Sequence, residues 1–320
     1  MKQTVYITRK LPNEIVEKLS QFQVRMWEEE GKPVPREILL KEVENVNGLI
    51  CLLTDTIDEE VISRAKHLQI ISNVAVGYNN IDVQAATKKG IIVTNTPGVL
   101  TETTADLTFT LLMAAARGIP AASDALRGGQ WGAWSLMEFT GQDIFEATLG
   151  IIGLGRIGEA LVKRAQGFNM NVLYYNRTRK YDKERELGIT YAEQSELLQR
   201  SDYVCLMLPY SPEVHHLIGK EELSLMKRNA ILINTARGGL VDEEALYHAL
   251  KSGEIWGAGL DVFEQEPVPV DHHLLTLTNV VTLPHIGSAS LKTRMKMAYL
   301  AVDNIIRVLN GDVPLTEVRL

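Results

Sequence analysis

The sequence predicts an α/β protein of two domains, each built on a parallel sheet with helices on both faces. Three observations lead to this class. Short β-branched apolar runs alternate with amphipathic stretches along almost the whole chain. The length of 320 residues exceeds what one hydrophobic core usually fills. A glycine-rich turn at 153–158 lies between an apolar run and a helical stretch, as it does in doubly wound sheets.

The first third of the chain contains four candidate strands, each followed by a helical or turn segment. The strands are expected at 4–7, 48–53, 70–73 and 91–93, with helices at 12–19 and 58–65. A longer helix at 102–117 has few interior charges, and its all-round hydrophobicity predicts burial between domains or subunits. We expect this helix to lead into the second domain.

A second series of six candidate strands follows, at 149–152, 171–175, 203–208, 230–234, 257–261 and 280–282. Such a series is the content of one dinucleotide-binding domain. The last helix, at 291–309, ends at Asn310-Gly311, a typical left-handed helix stop. Because little chain follows, we expect this helix to pack on the first domain. The predicted domains are therefore 1–100 with 287–320, and 101–286.

The composition argues against several classes of function. The formal net charge is −7, with Lys and Arg spread along the chain, which disfavours a nucleic-acid partner. The two cysteines, Cys51 and Cys205, lie in separate apolar runs and predict neither a disulfide framework nor a metal site. The apolar helical stretch near 111–116 is too short to cross a bilayer. Because the N-terminal residues predict a strand rather than a secretory signal, we expect a cytoplasmic protein.

The glycine-rich turn predicts a Rossmann-like dinucleotide site. The turn reads Gly153-Leu154-Gly155-Arg156-Ile157-Gly158 and opens a helical stretch. The first glycine would permit the tight bend, the second would let the backbone approach a pyrophosphate, and the third would allow close helix packing. The phosphates would lie at the helix N-terminus. The alternative, that the glycines only shape a turn, is disfavoured by the strand-to-helix context.

The end of the next strand predicts which dinucleotide binds. An acidic residue about 20 positions after the glycines would bond the ribose 2′-hydroxyl of NAD. This chain instead has Asn176, followed by Arg177, Thr178 and Arg179. Guanidinium groups chelate phosphate, and no carboxylate is present to repel it. We therefore expect NADP(H) to be preferred and NAD(H) to be possible, the alternative being a solvated basic turn without a ligand role.

Three polar residues, Arg237, Glu266 and His285, follow separate strands of the second series, where open α/β sheets place ligands. Together they suit hydride transfer to a keto acid. Arg237 would polarise the keto oxygen and pair with the adjacent carboxylate. His285 would deliver the proton, and Glu266 on its other ring nitrogen would stabilise the imidazolium. Each also has an ordinary structural interpretation, and six other histidines are present, namely His67, His215, His216, His248, His272 and His273.

Several motifs together carry a resemblance to a known family. They are residues 74–82, residues 101–106, the glycine turn and the segments around the three polar residues. On these motifs the chain resembles the D-isomer-specific 2-hydroxyacid dehydrogenases over nearly its full length, and most of all the glyoxylate/hydroxypyruvate reductase group. The resemblance implies reduction of a small 2-keto acid to a D-2-hydroxy acid. It also implies a homodimer and a cofactor domain inserted into a flavodoxin-like substrate domain.

The resemblance implies further contacts as well. The backbone amides of Val76 and Gly77 would hold the substrate carboxylate. We also expect Leu53 to contact the substrate, since side chains around Leu53, Val76 and the loop of Trp134 would set its size. Thr104 and Arg156-Ile157 would contact the cofactor phosphates, and Asp261 would bond the nicotinamide carboxamide. Other cofactor contacts would come from Leu208, Pro209, Thr235, Ala236 and Gly287. Trp131 or Trp134 would either reach the partner subunit's active site or pack within its own loop.

Two alternatives remain open at this point. One is another activity of the same family, on 2-ketogluconate, D-lactate or phosphoglycerate, because the sequence does not measure the substrate pocket. The other is a non-catalytic, cofactor-dependent binding protein of the co-repressor kind. The presence of Arg237, Glu266 and His285 together favours an enzyme.

Overall fold

The computed structural model describes residues 2–319 and confirms the α/β class. The chain forms two compact units. One comprises the chain up to Leu100 together with the chain from Ala289 onward, and the other is Thr101–Ser288. The boundary at which the chain returns to the first unit lies after residue 288 in the structure, whereas the sequence analysis places it after residue 286.

The first unit contains a five-stranded parallel sheet in the order β2-β1-β3-β4-β5, which is the flavodoxin-like order. The strands are β1 (Thr4–Ile7), β2 (Gln23–Met26), β3 (Gly48–Cys51), β4 (Ile70–Asn73) and β5 (Ile92–Thr94). The helices are α1 (Asn13–Glu17), α2 (Arg36–Val43), α3 (Glu59–Arg64), α4 (Val83–Lys88) and, from the end of the chain, α12 (Leu291–Leu309). In the sheet register, Ile7 lies opposite Met26 on one side and Ile50 on the other.

Helices cover both faces of this sheet, as the near-continuous apolar strands require. On one face, Ile15 of α1 and Val302 and Ile305 of α12 are buried with Val5 and Ile7. The other face is covered by α2, α3 and α4. Because α12 packs on β3 and β4, the end of the chain completes the core of the first unit.

The second unit contains a seven-stranded parallel sheet in the order β12-β11-β10-β9-β6-β7-β8. Its strands are β6 (Thr148–Ile152), β7 (Asn171–Tyr175), β8 (Thr190–Tyr191), β9 (Tyr203–Leu206), β10 (Ile231–Asn234), β11 (Gly257–Leu260) and β12 (Val280–Thr282). Its helices are α5 (Thr101–Ala116), α6 (Ile119–Arg127), α7 (Arg156–Gln166), α8 (Tyr181–Leu187), α9 (Gln194–Arg200), α10 (Lys220–Leu225) and α11 (Glu243–Ser252). The strand order reverses between β6 and β9, the position at which such sheets bind ligands.

The long apolar helix α5 packs within the second unit, against α7 and against β10 and β11. Leu111 and Leu112 on this helix are fully buried in the core that also contains Ile151 and Ile233. Its hydrophobicity on several sides follows from these contacts, since both a helix and a sheet lie against it. Within residues 2–319, no helix combines the length and apolar character that a membrane span needs.

Two strands of the structure, β2 and β8, were not predicted from the sequence. The β2 strand lies at one edge of its sheet and its side chains are half-buried or exposed, so it lacks an apolar run. The β8 strand has only two residues and also lies at an edge. Edge strands are commonly short and polar, which removes the hydrophobic signal on which the prediction depends.

Candidate active site

The carboxyl ends of the parallel strands in the second unit bring the predicted site residues to one edge of the sheet. Each residue or turn follows a different strand directly or within a few positions: the glycine turn after β6, Asn176 after β7, Leu208 after β9, Arg237 after β10, Asp261 after β11 and His285 after β12. Parallel strands direct all of these ends the same way. The sheet topology therefore explains why distant stretches of sequence contribute to one site.

The glycine turn has the geometry of a phosphate-binding loop. Gly153 has φ +100, and a Cβ there would lie 2.7 Å from the carbonyl carbon of Met207. A Cβ on Gly158 would lie 2.9 Å from the oxygen of Gly153, so neither position tolerates a side chain. At Gly155 a Cβ would meet nothing within 4 Å, and α7 begins at the next residue. Open space before the N-terminus of a helix suits a pyrophosphate.

The basic turn after β7 divides into residues with different partners. Asn176 accepts a hydrogen bond from the amide of Leu154 at 2.6 Å, so its side chain holds the glycine turn. Arg179 forms a two-point ion pair with Glu184, at 2.8 Å for both contacts, and lies over the ring of Tyr181. The ion pair lowers the pKa of Glu184 to about 2. Arg177 and Thr178 are exposed.

The other predicted cofactor contacts lie around this edge of the sheet. The hydroxyl of Thr108 donates to the carbonyl of Thr104 at 2.8 Å and lies 2.7 Å from the hydroxyl of Thr235. A Cβ on Gly287 would lie 3.6 Å from Cγ2 of Thr104, so these residues are neighbours. Leu208 abuts the glycine turn, the next residue Pro209 is exposed, and Ala236 after β10 is half-buried. The residues present therefore fit a nicotinamide dinucleotide.

His285 and Glu266 form a hydrogen-bonded pair. Nδ1 of His285 lies 2.7 Å from Oε2 of Glu266, with the two side chains 23% and 26% exposed. Burial acts to raise the pKa of Glu266. The net change is nevertheless a lowering of this pKa, caused by the hydrogen bond and charge of His285, the amide of Phe263 and the charge of Arg237. Because the carboxylate stays ionised, Nδ1 carries the hydrogen that it donates. Nε2 is then the nitrogen that can exchange a proton with a ligand.

Asp261 fixes the backbone that carries His285, a role that was not predicted from the sequence. His285 has φ +54, a left-handed conformation that is rare for a residue with a side chain. Its amide donates to the carbonyl of Asp261 at 2.9 Å. The two carboxylate oxygens of Asp261 accept from the amides of Ile286 and Gly287, each at 2.7 Å. Burial raises the pKa of Asp261 although these amides act to lower it.

Arg237 is placed by two neighbours that the sequence did not single out. The buried amide of Asn234 donates to the carbonyl of Arg237 at 2.8 Å and accepts from the amide of Ala236 at 3.1 Å. At Gly238 a Cβ would lie 1.8 Å from the carbonyl carbon of Phe263, so only glycine lets the two turns approach. Burial lowers the pKa of Arg237, and the charge of Glu266 opposes that change. The guanidinium nevertheless stays charged at neutral pH.

The predicted substrate contacts of the first unit also follow strands. Leu53 lies two residues after β3, and Val76 and Gly77 lie within four residues of the end of β4. All three are half-buried. The carbonyl of Val76 accepts a hydrogen bond from Asn95, and that of Gly77 accepts one from Asn73. The turn is therefore held through its carbonyl groups.

Three other histidines of the second unit pair with glutamates other than Glu266. His216 pairs with Glu264 at 2.9 Å, His248 with Glu244 at 3.0 Å and His272 with Glu243 at 3.1 Å. Residues 2–319 contain no group of three or more His, Cys, Asp or Glu side chains arranged to hold a metal ion.

This arrangement places a hydrogen-bonded imidazole and carboxylate, a half-buried arginine and a phosphate-binding turn on one edge of a Rossmann-type sheet. A cation next to an imidazole that can give up a proton suits addition to a polarised carbonyl. The fold and the site therefore define a dehydrogenase that uses a nicotinamide dinucleotide.

Comparisons with known proteins identify the family. The model of the D-isomer specific 2-hydroxyacid dehydrogenase NAD-binding domain matches residues 109–287. A glyoxylate reductase of Korarchaeum cryptofilum is 50% identical over 316 residues, covering 98% of this chain and 95% of its own. The crystal structure of the TT0316 protein from Thermus thermophilus has a TM-score of 0.92 at 45% identity, covering 99% of this chain and 100% of that one.

A second solved structure that resembles this chain contains bound ligands. The NADPH-dependent glyoxylate/hydroxypyruvate reductase of Sinorhizobium meliloti, in complex with NADP and malonate, has a TM-score of 0.88 at 33% identity. The match covers 99% of this chain and 97% of that one. The chain belongs to the D-isomer specific 2-hydroxyacid dehydrogenase family, and within it to the glyoxylate reductase type.

Proposed function

We propose that the protein reduces glyoxylate or hydroxypyruvate to the D-2-hydroxy acid, with a preference for NADPH and with His285 as the proton donor. The observation that carries this proposal is the 2.7 Å pair of His285 and Glu266, whose carboxylate also interacts with the charge of the half-buried Arg237. The reductases of Korarchaeum cryptofilum and Sinorhizobium meliloti support the choice of keto acids. In this proposal the Thr101–Ser288 unit binds the cofactor and the other unit binds the substrate.

The chain's own residues account for the reaction as follows. When bound, the reduced nicotinamide supplies a hydride to the keto carbon. Arg237 donates hydrogen bonds to the keto oxygen and to the substrate carboxylate. A fixed cation therefore stabilises the negative charge that develops on the keto oxygen. His285 releases its Nε2 proton to the same oxygen while Glu266 holds Nδ1. In the first unit, we assign binding of the substrate carboxylate to the amides of Val76 and Gly77, and a substrate contact to Leu53.

A panel of 2-keto acids tests the reaction. NADPH or NADH oxidation is followed with glyoxylate, hydroxypyruvate, pyruvate and 2-ketogluconate, and the D configuration of the product is checked on a chiral column. We expect glyoxylate or hydroxypyruvate with NADPH to give the highest kcat/KM. A higher value with 2-ketogluconate would replace the proposed substrate. Cofactor binding without oxidation on any keto acid would favour a non-catalytic binding protein.

The cofactor preference is assigned to Arg177. Both Arg177 and Arg179 are exposed, but Arg179 is already paired with Glu184, and no carboxylate ends β7, so we assign the 2′-phosphate contact to Arg177. We expect Arg177→Ala to raise the KM for NADPH about 10- to 100-fold, because one charge-assisted hydrogen bond to the 2′-phosphate is lost. The KM for NADH should change little. Arg185→Ala, a variant of an exposed arginine on α8, is the control, and equal effects on both cofactors would exclude 2′-phosphate recognition.

We further propose a homodimer that forms through the second unit. Its loop before β6 exposes apolar side chains, with Trp131 at 59% and Trp134 at 77%, and the neighbouring Leu136 and Met137 are also exposed. Large contiguous apolar surface is rare on a monomer and typical of an interface. Sedimentation equilibrium should give a dimer mass for the wild type and a monomer mass for Leu136→Asp. A monomeric wild type at micromolar concentration would contradict the assignment.

A further inference from the structure

We propose that Asn73 and Asn95 are positioning residues for the substrate carboxylate, and that Thr316 near the end of the chain holds Asn95 in place. The proposal rests on the proposed function, since it assumes that the amides of the 76–78 turn bind that carboxylate. All the residues concerned belong to the first unit.

Three successive carbonyl groups of this turn are occupied by donors from the ends of two strands. Each accepts one short hydrogen bond: Ala75 O from the amide of Thr96 at 2.8 Å, Val76 O from Nδ2 of Asn95 at 2.8 Å, and Gly77 O from Nδ2 of Asn73 at 2.9 Å. Asn73 and Thr96 are fully buried. The carbonyl oxygens are therefore fixed toward the body of the unit.

Fixing these carbonyls also fixes the amides that follow them. In a trans peptide the C=O and the next N–H point in opposite directions across one rigid plane. The N–H groups of Val76, Gly77 and Tyr78 are thus turned away from the strand ends. Among the described residues, none of these three groups donates a hydrogen bond. A carboxylate would meet three oriented amides, one more than the sequence indicated, and such concave groups of amides bind anions.

Asn95 is itself held by the chain beyond α12. The hydroxyl of Thr316 donates to the carbonyl of Asn95 at 2.6 Å, and the amide of Asn95 donates back to the carbonyl of Thr316 at 3.3 Å. Nδ2 of the buried Asn304 on α12 donates to the hydroxyl of Thr316 at 2.8 Å. The line of contacts therefore runs from α12 through Thr316 and Asn95 to Val76.

Asn73 is tied to the loop that carries Leu53. Its Nδ2 also donates to Oδ1 of Asn80 at 3.1 Å. Nδ2 of Asn80 in turn donates to the carbonyls of Leu52 and Asp55, at 3.1 and 3.0 Å. An aspartate or a leucine of similar size has no N–H with which to make these bonds. The amide side chain is thus what both positions require.

Steady-state kinetics of Asn95→Ala tests the proposal. We expect the KM for glyoxylate to rise about tenfold, with kcat within about threefold of the wild type, because an oriented anion contact is weakened rather than a catalytic group lost. The inhibition constant of oxalate should rise in parallel, and the KM for NADPH should stay unchanged. Thr316→Val should change the same constants in the same direction by about threefold.

Asn47→Ala is the matched control. The side chain of Asn47 also bridges backbone groups in the first unit, those of Thr4 and His67, but does not contact the turn. A folded Asn95→Ala with the KM and oxalate constant of this control would overturn the proposal. Hydrogen exchange on the wild type is the second measurement and needs no variant: oxalate with NADPH should slow exchange at 76–78, and unchanged exchange there would also overturn it. A wild type that reduces no 2-keto acid would instead reject the proposed function, and this proposal with it.

Discussion

His285→Ala should lower kcat for glyoxylate reduction by about 10²- to 10⁴-fold, the contribution typical of a positioned general acid. The dissociation constant of NADPH, measured by its fluorescence, should stay within about twofold, because the glycine turn and Arg177 are separate from the imidazole. His248→Ala is the matched control, since His248 also pairs with a glutamate in the same unit but its side chain is exposed on α11. Turnover close to that of this control would exclude His285 as the proton donor.

Replacement of Glu266, the carboxylate partner of His285, tests the role of His285 through the pH dependence of the reaction. Glu266→Gln keeps the shape of the pair but removes the charge that stabilises the protonated imidazole. In the reduction direction the protonated form is the active one, so we expect the limb that falls with rising pH to move to lower pH. In hydroxy acid oxidation the neutral form is active, and the acidic limb should move to lower pH as well. Identical pH profiles for the variant and the wild type would show that Glu266 does not act through His285.

Arg237→Ala should lower kcat/KM for glyoxylate by about 10³-fold or more. One side chain is expected to bind the carboxylate and to stabilise the developing oxyanion, so both its ground-state and transition-state contacts would be lost. Arg237→Lys should recover only part of this loss, because an ammonium lacks the two-point geometry of the guanidinium. Steady-state kinetics with both variants is the measurement.

Arg228→Ala provides the control for Arg237, because Arg228 is an exposed arginine of the same unit whose guanidinium contacts the carbonyl of Gly253. Its kinetic constants should equal those of the wild type. If Arg237→Ala changed only KM, the carbonyl-polarising part of its role would be wrong and only the carboxylate contact would remain.

Much of this site could be predicted because its residues follow strands. The glycine turn, Arg237 and His285 each come after an apolar run, and a parallel sheet brings such ends to one edge. The contacts that position these residues have no comparable pattern. The carboxylate of Asp261 meets an amide 25 residues away, and the hydroxyl of Thr316 meets a carbonyl 221 residues away. A contact between one polar side chain and a distant backbone group leaves no periodic pattern and no fixed spacing in the sequence.

In the basic turn after β7, the sequence also fails to predict the contacts of two residues that are close together in the chain. Arg177 and Arg179 are equivalent in the sequence, both being arginines beyond a strand without an acidic terminus. The structure separates them through Glu184 and Tyr181, which lie on α8 and engage only Arg179. Both arginines are exposed, and which of them pairs with Glu184 depends on where the next helix starts, which a pattern of charges does not specify.

The path of the chain also has a consequence for synthesis on the ribosome. The first hundred residues emerge first, yet the face of their sheet over β3 and β4 is covered by α12, which is translated only after the whole Thr101–Ser288 unit. Ile7, Ile50 and Ile70 therefore keep an incomplete apolar surrounding until α12 has been translated. Although domains usually mature in the order in which they are made, here the later-made unit can finish while the earlier one still needs its last helix.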